Sequence, residues 1–289
     1  MGIFKSPKKS SLFSNAVISL LLNILILKNL ISFDIEISDK KGNEISKELI
    51  SLFTNPQFSS QSTNKIRTIV KLKCFKAQQL TRNFNDKLQH DAGEFMASLL
   101  EHLFLENLLL IDIDEKVFGG LSQEKITCNC GKSRLLPIQK LPEILSIQIE
   151  DSSIQTCLDN FFSREDIDLE CDNCKSLKTK KETCIILEPT TLIIQLKRYE
   201  FDHNKKKILK KQDSVICPNK IRLPEGSTYS LSSVLNHIGS SPDNGHYTVS
   251  LFDEETNSFV MIDDSTITEN VTFSEEVCKL SYLVCYNKD

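Results

Sequence analysis

The sequence has no tryptophan, and its nine glycines and eight prolines are nowhere gathered into a linker. No internal repeat and no low-complexity tract interrupts it, which excludes a repeat array and predicts one compact domain with subregions. Charge of neither sign dominates. Thirty-five basic and 39 acidic residues leave a net charge of −4 and a pI near 5.8, so nothing electrostatic calls for nucleic acid or an anionic membrane as partner. The ten cysteines do not form the dense, even framework of a small secreted domain. Most of the single ones sit inside apolar runs, as in Thr183-Cys184-Ile185-Ile186-Leu187 and Leu283-Val284-Cys285-Tyr286, and read as buried free thiols in a reducing compartment.

Long hydrophobic runs are scarce as well. Ala16 to Leu27 follows Lys5, Lys8 and Lys9 in the charged-then-apolar order of a secretion signal. Lys28-Asn29-Leu30-Ile31 comes next, however, where a cleavage site would need small residues, and the run is too short and too polar at Asn23 and Lys28 for a bilayer. A buried helix of a cytosolic domain is the favoured reading.

What is present is ordinary for a soluble globular protein: 40% apolar and 26% charged residues over a length that can bury a substantial core. The pattern predicts a helix over 14–31, and two more near Ser46 to Phe53 and just before Cys74 in an otherwise polar stretch. From Asp91 onward, Phe95, Leu99, Leu100, His102, Leu103 and Phe104 recur at helical spacing, with Asp91 and Glu94 in the opening turn where carboxylates suit the helix dipole. Beyond Val117 the texture turns to short β-like runs: Glu124 to Cys128, Ser133 to Leu136, Glu143 to Ile149, Cys184 to Leu187 and Thr191 to Leu196. Val215 to Cys217, Tyr229 to Leu231, Tyr247 to Leu251, Ser258 to Ile262 and Ser281 to Tyr286 continue it. Helices first and strands later predict an α+β fold. The basic cluster Lys205 to Lys207, Lys210 and Lys211 lies between two strands and reads as a solvated turn.

Three constellations carry chemistry. In the first, Gly245-His246-Tyr247 precedes Asp263-Asp264 by one β-like run and a turn, so a hairpin would set imidazole and carboxylate side by side. That is either a structural pair or the base and its orienting acid in a nucleophilic triad. The second is Cys128-Asn129-Cys130 with Cys171-Asp172-Asn173-Cys174. Four thiolates on two knuckles suit structural zinc, with Gly131 for the tight turn, although the first pair is one residue shorter than the usual spacing; free cysteines on adjacent loops are the alternative. Four sulfurs would leave no open position for catalysis. The third, Gln89-His90-Asp91-Ala92-Gly93-Glu94-Phe95, is either a capped amphipathic helix or a pair of carboxylates accepting from an arginine-bearing extended peptide.

Taken in order with Leu192-Ile193-Ile194-Gln195-Leu196-Lys197-Arg198-Tyr199 and Tyr229…His237-Ile238-Gly239, these motifs resemble the ubiquitin-specific protease family, over residues 12–287. The resemblance implies a papain-like cysteine protease fold in one domain over 1–289, with a thumb (10–112), zinc-ribbon fingers (117–190) and a palm (191–289). Ubiquitin, free or on ubiquitinated proteins, would sit in the hand, in a cytoplasmic or nuclear setting, with no membrane or nucleic acid involved. It also implies His246 as general base, Asp263 as the residue orienting it, and Asp264 as a neighbouring acid on the oxyanion side. Gln89, Asp91, Glu94 and Tyr247 would bind substrate, and Cys128, Cys130, Cys171 and Cys174 would ligate Zn2+.

One loop departs from the family pattern. Phe13-Ser14-Asn15-Ala16-Val17-Ile18 fits the segment after the family's nucleophilic cysteine, which puts Leu12 at the thiol position. A leucine side chain neither ionises nor attacks a carbonyl. The oxyanion-donating Asn of the family falls at Pro7, which has no N–H to offer. Ser10 and Ser11 are poor substitutes, and Cys74 lies in an unrelated segment. The expectation is a ubiquitin-binding domain impaired in catalysis. The alternatives are an active thiol isopeptidase whose cysteine loop is absent through a truncated or misread N-terminus, and a degenerate zinc-ribbon interaction protein. Linkage preference and oligomeric state are not legible in the sequence.

Overall fold

The computed structural model describes residues 12–27, 44–54, 65–70, 90–106, 117–204, 206–241, 244–253, 256–264, 266–272 and 279–289. The helices come first: α1 (Leu12–Leu27), α2 (Glu44–Thr54), a helical stretch at 65–70, and α3 (Ala92–Glu106). The four regions expected to be helical in the first half are helical where described; 28–31 and 71–73 lie outside the described residues. Helix α1 buries Val17, Ile18, Leu20 and Leu21 fully, while Asn15 and Ser19, one turn apart, are half-buried. Helix α3 starts where its cap dictates: Asp91 Oδ1 accepts from the Glu94 N–H at 2.8 Å and the Asp91 carbonyl from the Phe95 N–H at 3.1 Å.

Strands follow: β1 (Gly120–Cys128), β2 (Ser133–Leu135), β3 (Gln139–Leu141) and β4 (Ile144–Ile147), then α4 (Ile154–Phe162), β5 (Glu165–Asp168), β6 (Lys178–Leu187) and β7 (Thr191–Leu196). The remainder are β8 (Tyr199–Asp202), β9 (Lys207–Lys210), β10 (Lys220–Arg222), β11 (Thr228–Ser241), β12 (Asn244–Asp253), β13 (Ser258–Asp263), β14 (Thr266–Val271) and β15 (Ser281–Lys288).

The large sheet runs β14-β13-β12-β11-β15-β7-β4, with β10 also on β11. Its pairings are antiparallel except that β4 lies parallel to β7. Both faces are covered, which explains why β7 and β15 read as near-continuous apolar runs. Ile193, Leu235, Val249 and Leu283 point into one core with α1 and α3, while Leu192, Ile194, Val234 and Val284 point into the other with α4. The second sheet, β2-β1-β6-β5 with β3 on β1, is largely exposed and laced with ion pairs such as Lys181–Glu165 (2.6 Å) and Arg164–Glu182 (3.1 Å). This mixed α+β architecture is the one expected from the sequence.

Two local expectations need correction. Val215 to Cys217 forms no ladder, because only Ile216 pairs, in an isolated bridge to Ser153. The basic cluster is a solvated turn only in part, with Lys206 and Lys207 exposed there. Lys207–Lys210 is strand β9, paired with β8, and the register turns Lys210 inward; Lys211 is ion-paired to Glu200 at 3.3 Å. Lys205 lies outside the described residues. No described helix is long and apolar enough to cross a membrane, and the eight described cysteines are free thiols.

Candidate functional site

The β12–β13 hairpin pairs Val249 with Ile262 and Leu251 with Val260, so its open end places His246 beside Asp263. His246 Nε2 lies 2.5 Å from Asp263 Oδ1. With Nε2 engaged, Nδ1 is the nitrogen able to serve a reacting group, and the imidazole, 26% exposed, can be reached from solvent. Asp264 follows in a left-handed conformation (φ 53°). Its carboxyl is pushed up by burial and by Asp263, with His246 opposing.

Gly245 is glycine for a steric reason: a Cβ there would fall 2.3 Å from His237 Nε2 and 2.5 Å from the Ile238 carbonyl oxygen. His237 is fully buried, its ring 4.6 Å from that of Tyr247, centroid to centroid. Its Nδ1 lies 2.8 Å from Tyr199 Oη and 3.0 Å from Lys210 Nζ. An ammonium only donates, so Nδ1 is the acceptor and the proton of the neutral ring sits on Nε2. Burial, then the nearby Lys210 charge, pushes the imidazole down to about 3. Lys210 also donates to the carbonyls of His237 (2.6 Å) and Gly239 (3.0 Å). Desolvation, then Arg198, pushes its ammonium down to about 8.

Across this aromatic cluster, Tyr282 O–H donates to Asp91 Oδ2, Gln195 Nε2 donates to Tyr282 Oη at 2.7 Å, and Ser146 Oγ donates to Gln195 Oε1 at 2.8 Å. Asp91 is therefore held by its own helix through one oxygen and by β15 through the other. Glu94 is half-buried on the next turn, and Tyr247 lies in the core at 1% exposure. Gln89 lies outside the described residues, as do Pro7, Ser10, Ser11 and Cys74; Leu12 is the first residue of α1. Sequence reasoning passed over Gln195, Tyr199 and Tyr282 as strand residues. Tyr199 and Gln195 stood inside a quoted motif, and a polar side chain within the apolar run of β7 was the signal to follow.

The cysteine cluster sits at the turns linking β1 to β2 and β5 to β6. Cys128 Sγ is 3.5 Å from Cys174 Sγ, Cys130 Sγ is 3.7 Å from Cys171 Sγ, and all four sulfurs lie within 4.8 Å of one another. Zn–S bonds of about 2.3 Å in a tetrahedron would set sulfurs about 3.8 Å apart, so the donors fit. The short first pair is accommodated by a tight turn: the Gly131 N–H donates to the Cys128 carbonyl at 2.9 Å with φ +87° at the glycine. The Lys132 N–H and the Asn173 amide push the Cys130 thiol down to about 6, and the N–H groups of Cys174 and Asn173 lower Cys171. Such N–H···S bonds stabilise thiolate, the form a metal takes, at Cys130 and Cys171, while at Cys128 the Cys130 N–H is outweighed by burial and the neighbouring sulfurs, which push the thiol up to about 12. The set could hold a zinc ion.

A sequence profile described as ubiquitin carboxyl-terminal hydrolase matches residues 9–183 and again 151–286. The chain belongs to that family. It is 28% identical over 221 residues, 73% of its length, to the probable ubiquitin carboxyl-terminal hydrolase 8 of Schizosaccharomyces pombe, and covers 48% of that protein. It is 25% identical over 282 residues, 88% of its length, to the ubiquitin carboxyl-terminal hydrolase 36 of Drosophila melanogaster, and covers 27% of it. The chain thus spans about half or less of these relatives. Among solved structures, the SAGA DUB module of Ubp8, Sgf11, Sus1 and Sgf73 bound to monoubiquitin matches all of this chain and 69% of its own with a TM-score of 0.77 at 20% identity. The yeast SAGA module carrying an altered Sgf73 matches with a TM-score of 0.71 at 18% identity. The fold is the papain-like α+β fold of ubiquitin carboxyl-terminal hydrolases.

Proposed function

We propose that the chain is a ubiquitin-binding domain of the ubiquitin-specific protease type with impaired hydrolysis. One observation carries the reading: the first residue of α1, where the family motif has its thiol, is Leu12, while the His246–Asp263 pair is assembled in the adjoining hairpin. On this reading base and orienter are retained and the nucleophile is lost. The proposed hand has its thumb in 10–112, its fingers in 117–190 and its palm in 191–289. Ubiquitin's C-terminal tail would thread between α3 and the β11–β12 end, against Gln89, Asp91 and Glu94, with Tyr247 expected for that role but buried in the core beneath. Cys128, Cys130, Cys171 and Cys174 would hold structural Zn2+ at the fingertips; that ion would fix the two knuckles and take no part in chemistry.

In an active member, His246 Nδ1 would take a thiol proton while Asp263 holds the imidazole through Nε2, with Asp264 beside the developing oxyanion. In this chain the same groups would bind and orient the tail without an acyl transfer. The test uses ubiquitin amide-linked to a fluorophore at its C-terminus, with purified chain, zinc and reductant. We expect saturable ubiquitin binding and no release. Release that disappears in His246→Ala would overturn the reading and favour an active hydrolase, for which the retained pair is the specific support. A Leu12→Cys variant, challenged with ubiquitin carrying a C-terminal electrophile, should be labelled in a His246-dependent way. Absence of labelling in a variant that still binds ubiquitin would remove Leu12 from the nucleophile position.

A further inference from the structure

We propose that Lys210 is a positioning residue for the tail cleft, clamping the end of β11 so that His246 keeps its place on β12; the inference rests on the ubiquitin-binding reading. Strand β11 lies between β12 and β15, but the β15 pairing ends at Asn236↔Ser281. Beyond that point β11 continues along β12 alone, pairing His237 with Tyr247 and Ile238 with His246, before its register slips between Ile238 and Ser241. The Ile238 carbonyl faces β12, as its closeness to Gly245 requires. The carbonyls on either side of it, His237 and Gly239, therefore face the side that β15 has vacated.

Lys210 Nζ stands on that side and donates to both carbonyls, and to His237 Nδ1. A side-chain ammonium thus replaces the missing strand at the place where slippage by one residue would carry His246 to the opposite face. Lys210 is itself held. Strand β9 is paired with β8, the Lys211 N–H donates to the Arg198 carbonyl at 2.6 Å, and the fully buried Arg198 guanidinium donates to the carbonyls of Ser281 (2.5 Å) and Asp213 (2.9 Å). The start of β15 and the end of β11 are tied to one hairpin. Tyr199, from β8, packs its hydroxyl oxygen 2.8 Å from the same His237 Nδ1. In this proposal these groups act through the backbone that carries His246 rather than on substrate.

The test compares the full chain with Lys210→Met, which keeps the aliphatic stem and removes the donors. Readouts are the low-field proton resonance of His246 against Asp263, affinity for fluorescein-labelled ubiquitin, and the thermal midpoint. The expected result is loss or displacement of the His246 resonance and about tenfold weaker ubiquitin binding, the scale of one charge-assisted hydrogen bond. A lowered midpoint with the His246 resonance unmoved would overturn the proposal and leave Lys210 a stabilising residue only. Should Lys210→Met fail to fold, Lys210→Gln removes the ammonium with a shorter polar side chain; a displaced resonance supports the clamp and an unmoved one refutes it. If the unaltered chain does not bind ubiquitin, the function proposed above fails, while the His246 comparison still decides the clamp.

Discussion

A buried histidine held neutral leaves a signature in acid. His237 titrates near 3 in the folded chain and near 6.5 when unfolded. Below about pH 6.5 the unfolded chain takes up a proton that the native one refuses, so this residue makes stability fall as pH drops from about 6.5 towards 3, and has no effect above that window. In His237→Gln that part of the fall should vanish. Urea unfolding at stepped pH values checks it; equal slopes for the two proteins between pH 6.5 and 4 would show that the ring is already charged in the native state. At this scale the sequence was partly legible. His246, Asp263 and the four cysteines stood out because chemistry restricts which residue types can do their work. Lys210 did not, since a lysine in a run of lysines is solvated unless a sheet ends beside it, and that is a fact of tertiary structure.

At the scale of elements, the two cysteine knuckles are joined to a sheet with little apolar covering. Its outer strands β2 and β5 are mostly exposed and β1 and β6 largely half-buried, and surface ion pairs are worth little, about 0–1 kcal/mol each. With zinc bound as proposed, the metal would supply the missing stability locally. Chelation should therefore abolish amide-exchange protection in β1, β5 and β6 while β7, β11 and β15 stay protected. Uniform loss in both sheets would mean that the arm does not unfold by itself. Helices and core strands were readable here because their periodicity is strong: α1, α3, β7 and β15 coincide with apolar patterns. The strands β3, β5, β8, β9, β10 and β14 and the helix α4 were not read. The strands are short, polar and mostly exposed, and their pairing is fixed by partners distant in the chain.

For the whole molecule, the large sheet separates two cores that share every central strand. Leu235 is buried on the helical side and Leu192 on the other. Each Leu→Ala change should cost about 2–5 kcal/mol, and both should shift one cooperative urea transition without altering its slope. A second transition in either variant would show that the faces unfold independently. The papain-like class was legible from the order of motifs along the chain. The covering of both sheet faces was not, because an unbroken apolar run is also what a buried helix looks like.

The parallel pair β4–β7 joins residues 49 positions apart, and between them the chain makes α4 and the second half of the exposed sheet. Cys130 and Cys171 lie 41 positions apart and bracket β4. A metal joining the knuckles would shorten the path between those strands from 49 positions to about 36, a saving of about 0.3 kcal/mol in closure entropy. Refolding in the presence of zinc would then be faster by less than about twofold, with the gain falling on the step that seats β4 against β7. The fingertip, remote from the proposed cleft, would steady its own arm far more than it would hasten the meeting of these two strands.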